Sequence, residues 1–255
     1  MQFDTAFSEK QYDDVYPPGI EHHWWNVARN GMVSDLIHMA ERRNFTPLSC
    51  MLEVGCGRGH TVEHLRESGY DCYGVELASI CVDERLRAHV LTGQDCLALP
   101  HEFRNKIELI LLLDVIEHIN DVAAFVGNVR DAYPNCRWLI VSVPARMELW
   151  SSFDQLYGHF RRYDLQTLRE ELMRAGANII KSNYHFKMLY PLLYVLVRWG
   201  KGRPSANRTP FLTPLHRLFG ALIRRESWVV PDFVYGTSIV GLAEFPGRDG
   251  ATHPT

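Results

Sequence analysis

At 255 residues the chain is long enough to bury one sizeable core with a small accessory lobe. Its 46% hydrophobic and 22% charged content are those of an ordinary soluble globular protein. A net charge of −3 provides no global basic field, so nucleic acid is not an expected partner.

The first residues, Met1-Gln-Phe-Asp-Thr5, are polar and acidic and do not read as a signal peptide. No apolar run reaches the ~20 residues of a membrane span. Cysteines at 50, 56, 72, 81, 96 and 136 form no C-x-x-C pair, so reduced thiols and a cytoplasmic location are expected. Pro17-Pro18-Gly19 breaks the chain, and a helix follows over 21–43, with Trp24, Val27, Met32, Leu36 and Met39 among its apolar residues. Strands are then expected at 50–54, 71–76, 89–93, 107–113, 137–143, 178–184 and 236–244. Helices are expected at 60–68, 78–87, 121–132 and 165–175. The nearly continuous apolar runs Ile107–Leu113 and Trp138–Val143 suit strands covered on both faces. The alternation implies a doubly wound, Rossmann-like α/β fold, with binding groups at the carboxyl ends of strands.

The first strand ends in Glu53-Val-Gly-Cys-Gly-Arg-Gly59. Glycines at 55, 57 and 59 allow positive φ and close approach of a ligand to the main chain at a helix N-terminus. A dinucleotide fingerprint would place its third glycine at position 60, where this chain has His60. The second strand ends at Glu76, about 20 residues on, where an acid suits the hydroxyls of a ribose. Asp95-Cys96 follows the third strand, and Asp114-Val-Ile-Glu117-His118 the fourth.

These motifs, in this order, resemble those of the class I S-adenosylmethionine-dependent methyltransferases, in the small-molecule type 11 and type 23-like subgroup. The resemblance covers about residues 20–185 and the last strand. It implies a seven-stranded sheet ordered 3-2-1-4-5-7-6 with strand seven antiparallel, and S-adenosyl-L-methionine as cofactor. It assigns cofactor contacts to Glu53, Gly55, Cys56, Gly57 and Gly59, to Glu76 and Leu77, to Asp95 and Cys96, and to Asp114. Arg29, in the string His22-His-Trp-Trp-Asn-Val-Ala-Arg29, either reaches the methionine carboxylate or pairs with an acid.

No metal is expected. The alternative is that Asp114, Glu117 and His118 hold a divalent cation, as the equivalent acid-x-x-Glu-His can in the resembling ubiquinone-pathway enzymes. His60 and His64 share the metal-compatible i,i+4 spacing but have no third ligand in a recognisable pattern. Past the fifth strand, Gly158-His-Phe-Arg-Arg-Tyr163 places His159 as a candidate general base, since imidazole titrates near neutral pH. Arg161 and Arg162 either bind an anionic acceptor group or pin the loop.

The expected organisation is a helical cap over 1–45, a cofactor-binding core over 46–184 and 236–245, a helical insertion or lid over 185–235, and a tail over 246–255. The insertion holds two apolar segments, Met188–Trp199 and Leu212–Ile223, flanked by basic residues. Either they pack as a lid, or they form an apolar acceptor pocket or make peripheral membrane contact through 186–225. The expected activity is methyl transfer to an oxygen or nitrogen of a small-molecule acceptor, such as a saccharide, a secondary metabolite or a lipid-linked precursor. The oligomeric state is left open. Two rivals remain: a nicotinamide-dependent oxidoreductase, which lacks its third glycine and a Tyr-x-x-x-Lys pair, and a non-catalytic protein that binds S-adenosylmethionine.

Overall fold

The computed structural model describes residues 9–200 and 212–247. Seven strands run β1 Met51–Val54, β2 Cys72–Glu76, β3 Val90–Thr92, β4 Leu109–Leu113, β5 Trp138–Pro144, β6 Asn178–His185 and β7 Ser238–Glu244. They form one sheet in the order β3-β2-β1-β4-β5-β7-β6. The pairs from β3 to β5 are parallel, and β7 lies antiparallel to both β5 and β6. This is the expected order and strand direction.

β4 sits near the middle because none of its five residues has an exposed side. Each fully buried aliphatic side chain contributes roughly 1.5–3 kcal/mol. Only a site covered on both faces recovers that from five consecutive apolar residues.

Helices cover both faces. On one, α2 Trp24–Asn44 and α3 His60–Glu67 pack on the sheet. α2 buries Ala28, Met32, Val33, Leu36, Ile37 and Ala40, a stripe at helical spacing. On the other face lie α5 Val122–Ala132 and α7 Leu165–Arg174, with Phe125, Val126, Val129, Leu168 and Leu172 in a second core. Asp121 and Asp164 start these two helices by accepting from the backbone N–H groups of Ala124 and Thr167.

Shorter helices fill the connections: α1 Glu9–Val15, α4 His101–Arg104 and α6 Ser152–Leu156. Between β6 and β7 come α8 Tyr190–Arg198, α9 Thr213–Arg224 and α10 Glu226–Val229. Buried Lys187 ties this segment together. Its Nζ donates to the carbonyls of Val230 and Pro231 and pairs with Asp232, while its backbone N–H meets the Glu226 carboxylate.

The helix expected over 78–87 does not form. The chain there is irregular, with one 3-10 turn at Glu84–Leu86 capped by the Asp83 carboxylate. Ala78 and Ile80 are drawn instead into a small cluster with Tyr12 and Tyr16 from the N-terminal segment. Tertiary packing and the β-branched Ile80 and Val82 outweigh a weak helical propensity. Residues 201–211, between the two apolar segments of the expected insertion, lie outside the described residues, and so does the tail after Gly247.

Candidate active site

A cleft of about 310 Å³ opens at the carboxyl ends of β1, β2, β4 and β5, the place where open parallel sheets bind ligands. Gly55, Glu76, Asp114 and Pro144 mark its floor. Its roof comes from α1, the start of α2 and α8.

Three carboxylates converge under this floor. Glu76 accepts from the N–H of Gly57 at 2.9 Å and of Ala78 at 3.2 Å. Glu53 is buried. Thr61 hydrogen-bonds one of its oxygens, and its Oε2 has no hydrogen-bond partner among the described residues. Burial pushes the Glu53 carboxyl up to about 7, and the charges of Glu76 and Asp114 add to this. Asp114 adopts a positive φ of 56°, which a non-glycine residue holds only when its surroundings impose it.

Arg29 is the cation placed among these acids. Its Nη1 meets Asp114 Oδ2 at 2.8 Å, Nη2 reaches Thr61, and the guanidinium stacks on Trp25. Of the two roles open in the sequence, pairing with an acid is the one this structure holds.

The glycine loop divides its tasks. Gly55 lines the cleft. Gly57 hands its N–H to Glu76 and is covered by Tyr16, whose hydroxyl lies 2.5 Å from where a β-carbon would stand. Gly59 packs against Val90 and Leu86, bringing α3 close to the sheet. Cys56 points into the core against Gly74. Glu53, Cys56, Gly57 and Gly59 are therefore beneath the cleft lining, whereas Leu77, Asp95 and Cys96 are in it. Asp95 also caps its own turn through the N–H of Leu97.

Tyr12 and Tyr16 were not legible as site residues. The Tyr12 hydroxyl hydrogen-bonds the Glu76 carboxylate, and the two rings stack at 6.1 Å. The available signal was their i,i+4 spacing, which places both on one side of a helix. Burial first, and then the Glu76 charge, raise the Tyr12 hydroxyl pKa.

A second group sits at the far end of the cleft. His159 Nδ1 lies 2.9 Å from Asp154 Oδ1. Asp154 is fully buried and also accepts from Arg162 Nε at 2.7 Å, Arg162 Nη2 at 3.1 Å and the Ser151 N–H at 2.9 Å. Burial alone would raise the Asp154 carboxyl, but the hydrogen bonds from His159 and Arg162 outweigh it and hold it at about 2. An ionised Asp154 fixes the proton of His159 on Nδ1 and leaves Nε2 as the basic nitrogen. Arg162 Nη1 donates to the Ala145 carbonyl, and Arg161 binds Glu171 and the Asn120 carbonyl, so both arginines pin the loop.

Glu117 and His118 adjoin this dyad. Burial, then the Asp114 charge, push the Glu117 carboxyl far up, and burial with neighbouring His159 pulls His118 down to about 4. The metal-compatible set in the structure is Glu117, His118 and His159, with ligand atoms within 4.8 Å of one another. Asp114 is not part of it. His60 faces Tyr16, and His64 faces Ser34. They form no metal group with a third ligand among the described residues.

The comparisons with known proteins agree with this geometry. A family model described as a methyltransferase domain matches residues 27–182, which is 156 of 255 residues. The chain is 30% identical over 115 residues to a ubiquinone biosynthesis O-methyltransferase from Rhodopseudomonas palustris strain BisB5, covering 41% of this chain and 46% of that one. It is 28% identical over 141 residues to a protein of the same name from Bradyrhizobium sp. strain ORS 278, covering 51% and 55%. It thus spans about half the length of the curated relatives it matches. The crystal structure of magnesium protoporphyrin IX methyltransferase from Synechocystis PCC 6803, with bound S-adenosylhomocysteine, shares the fold at a TM-score of 0.50 and 14% identity, over 92% of this chain and 91% of that one. With the family model spanning more than half its length, the chain belongs to the methyltransferase-domain family, and its sheet has the strand order expected of the class I fold.

Proposed function

We propose that this methyltransferase transfers the methyl group of S-adenosylmethionine to a hydroxyl oxygen of a small, largely apolar acceptor. His159 is the general base and Asp154 its positioning residue. The observation that carries this reading is the dyad itself. A buried, ionised carboxylate 2.9 Å from one imidazole nitrogen leaves the other basic at the cleft.

The residues present fit the cofactor. Glu76 stands at the end of β2 where ribose hydroxyls would donate, and Asp95 lies beyond it in the lining. Asp114 in the lining and Glu53 beneath it give the methionine end its carboxylates, with Arg29 paired to Asp114. An ammonium group there would lie above Glu53, whose Oε2 has no hydrogen-bond partner among the described residues. When bound, S-adenosylmethionine supplies an electrophilic methyl on a sulfonium. The chain's own part is then to hold an acceptor in line, remove its proton and exclude water.

The acceptor end is walled by Leu149, Phe153, Tyr157, Leu193 and Val197. Such walls favour an aromatic or alkyl body over a saccharide, with polarity confined to the reacting hydroxyl. The relatives named as ubiquinone biosynthesis O-methyltransferases support an oxygen acceptor of this kind.

The test uses S-adenosylmethionine with an isotopically labelled methyl and a panel of alkylated phenols, catechols, saccharides and amines. Label is expected in the phenolic compounds, with His159→Ala lowering turnover roughly 10²–10⁴-fold and leaving S-adenosylhomocysteine affinity unchanged. Methylation of amines alone, or full turnover by His159→Ala, would overturn the assignment.

A further inference from the structure

The segment between β6 and β7 differs in charge from the rest of the molecule. Residues 186–225 contain eight Lys and Arg and no Asp or Glu. The whole chain has 27 basic and 30 acidic residues, so the remainder has 19 and 30, a net of −11. Among the described residues, Lys187 is buried, Arg224 pairs with Asp35 and Arg217 contacts His22.

α9 is apolar on two sides. One side packs on α2, where Gly220 abuts Trp24 and Val27 and Ile223 is buried. The other side presents Leu215, Leu218 and Leu222, which are 59%, 59% and 57% exposed. They are spaced three and four apart and form one stripe. α8 repeats the arrangement. Leu193 and Val197 line the cleft, while Leu192 is 57% exposed and Trp199, just past the helix end, 74%. The wall of the cleft is therefore also an apolar outer surface. Arg198, Arg217 and Arg225 are exposed on the same two helices. No helix among the described residues is long and apolar enough to cross a membrane, so this surface suits lying on one.

We propose that the outer faces of α8 and α9 dock on an anionic lipid bilayer. The leucine stripe and Trp199 enter the headgroup boundary, and the arginines meet lipid phosphates. The charge pattern decides between occupants. In a symmetric dimer two copies of this acid-free, positively charged segment would face each other, whereas an anionic surface complements its charge. The placement of α8 then opens the cleft toward the bilayer.

The experiment is co-flotation of the full chain with vesicles of phosphatidylcholine alone or with phosphatidylglycerol added. Salt is set at roughly 0.05 M and 0.5 M, on either side of the range where screening becomes severe. Binding is expected to the anionic vesicles at low salt, to fall at high salt, and to be at least tenfold weaker for phosphatidylcholine alone. The triple change Leu215→Glu, Leu218→Glu, Leu222→Glu should abolish it without altering the thermal unfolding midpoint. Should that variant unfold, Arg198→Glu with Arg217→Glu and Arg225→Glu decides the question, with a loss of at least tenfold expected. Wild type remaining with the soluble fraction would overturn the proposal. So would equal binding to neutral vesicles, or undiminished binding by a folded variant. A concentration-dependent dimer that the leucine changes dissociate, with no vesicle binding, would assign the face to self-association instead.

Discussion

The hydroxyl of Tyr16 stands 2.5 Å from the position a β-carbon would take on Gly57. The N-terminal segment is thus in contact with the glycine loop proposed to lie beneath the cofactor. Any side chain at Gly57 meets two obstacles, the Tyr16 ring and a φ of +53°. Gly57→Val is expected to weaken S-adenosylhomocysteine binding at least a hundredfold by calorimetry. Binding like that of the wild type would remove the loop from the cofactor site.

Tyr12 occupies Glu76, the carboxylate proposed to hold the ribose. Tyr12→Phe frees Glu76 of one hydrogen bond, a change of about 0.5–1.5 kcal/mol, so S-adenosylhomocysteine affinity should rise two- to tenfold. A fall in affinity would make Tyr12 itself a cofactor contact.

Glu76→Ala should have the opposite effect, weakening affinity by about 2–3 kcal/mol through loss of charge-assisted hydrogen bonds. The same variant also orphans the Gly57 N–H. A melting curve recorded without ligand separates the binding loss from any loss of fold. An unchanged dissociation constant would detach Glu76 from the ribose.

Asp154→Asn tests the dyad. The amide no longer fixes the His159 proton on Nδ1, and the Arg162 charge loses its buried partner. Turnover should fall at least a hundredfold, with stability reduced by about 3–5 kcal/mol. In the wild type, the Asp154 carboxyl is held at about 2, below its ordinary 3.8. Its contribution to stability is therefore present above about 3.8 and lost as pH falls toward 2. Denaturant titrations of both proteins between pH 2 and 6 should converge at the acid end.

Glu53 works in the other sense. Its folded value of about 7 lies above the ordinary 4.5, so its contribution to stability is full below 4.5 and lost as pH rises through about 7. Glu53→Gln should raise the unfolding midpoint of the ligand-free protein by a few degrees at pH 8, on the order of 1 kcal/mol, and change little near pH 4. An ammonium on the bound cofactor favours the ionised form, so wild-type affinity for S-adenosylmethionine should climb between pH 6 and 8. The gain should vanish in Glu53→Gln. A pH-independent affinity in the wild type would place the ammonium elsewhere.

The strand order was legible only through the family resemblance, whereas the strands themselves and the end of the sheet that carries the cleft follow from sequence features that act locally. Apolar runs such as Leu109–Leu113 are strands whatever surrounds them, and Gly55, Gly57 and Gly59 permit a turn that bulkier residues would strain. Glu53, Glu76, Asp95 and Asp114 each end or follow a parallel strand, so one fold brings them to one edge. The tertiary structure alone decided what lies between distant segments. It set Tyr12 on Glu76 and Arg29 on Asp114, contacts across 64 and 85 positions of chain. It also chose the local pairing of Asp154 with His159, which spacing could not distinguish from an ordinary loop anchor. The irregular course of residues 78–83 was likewise settled by the two tyrosines packed against it, because a short segment of weak propensity takes the conformation that buries its side chains best.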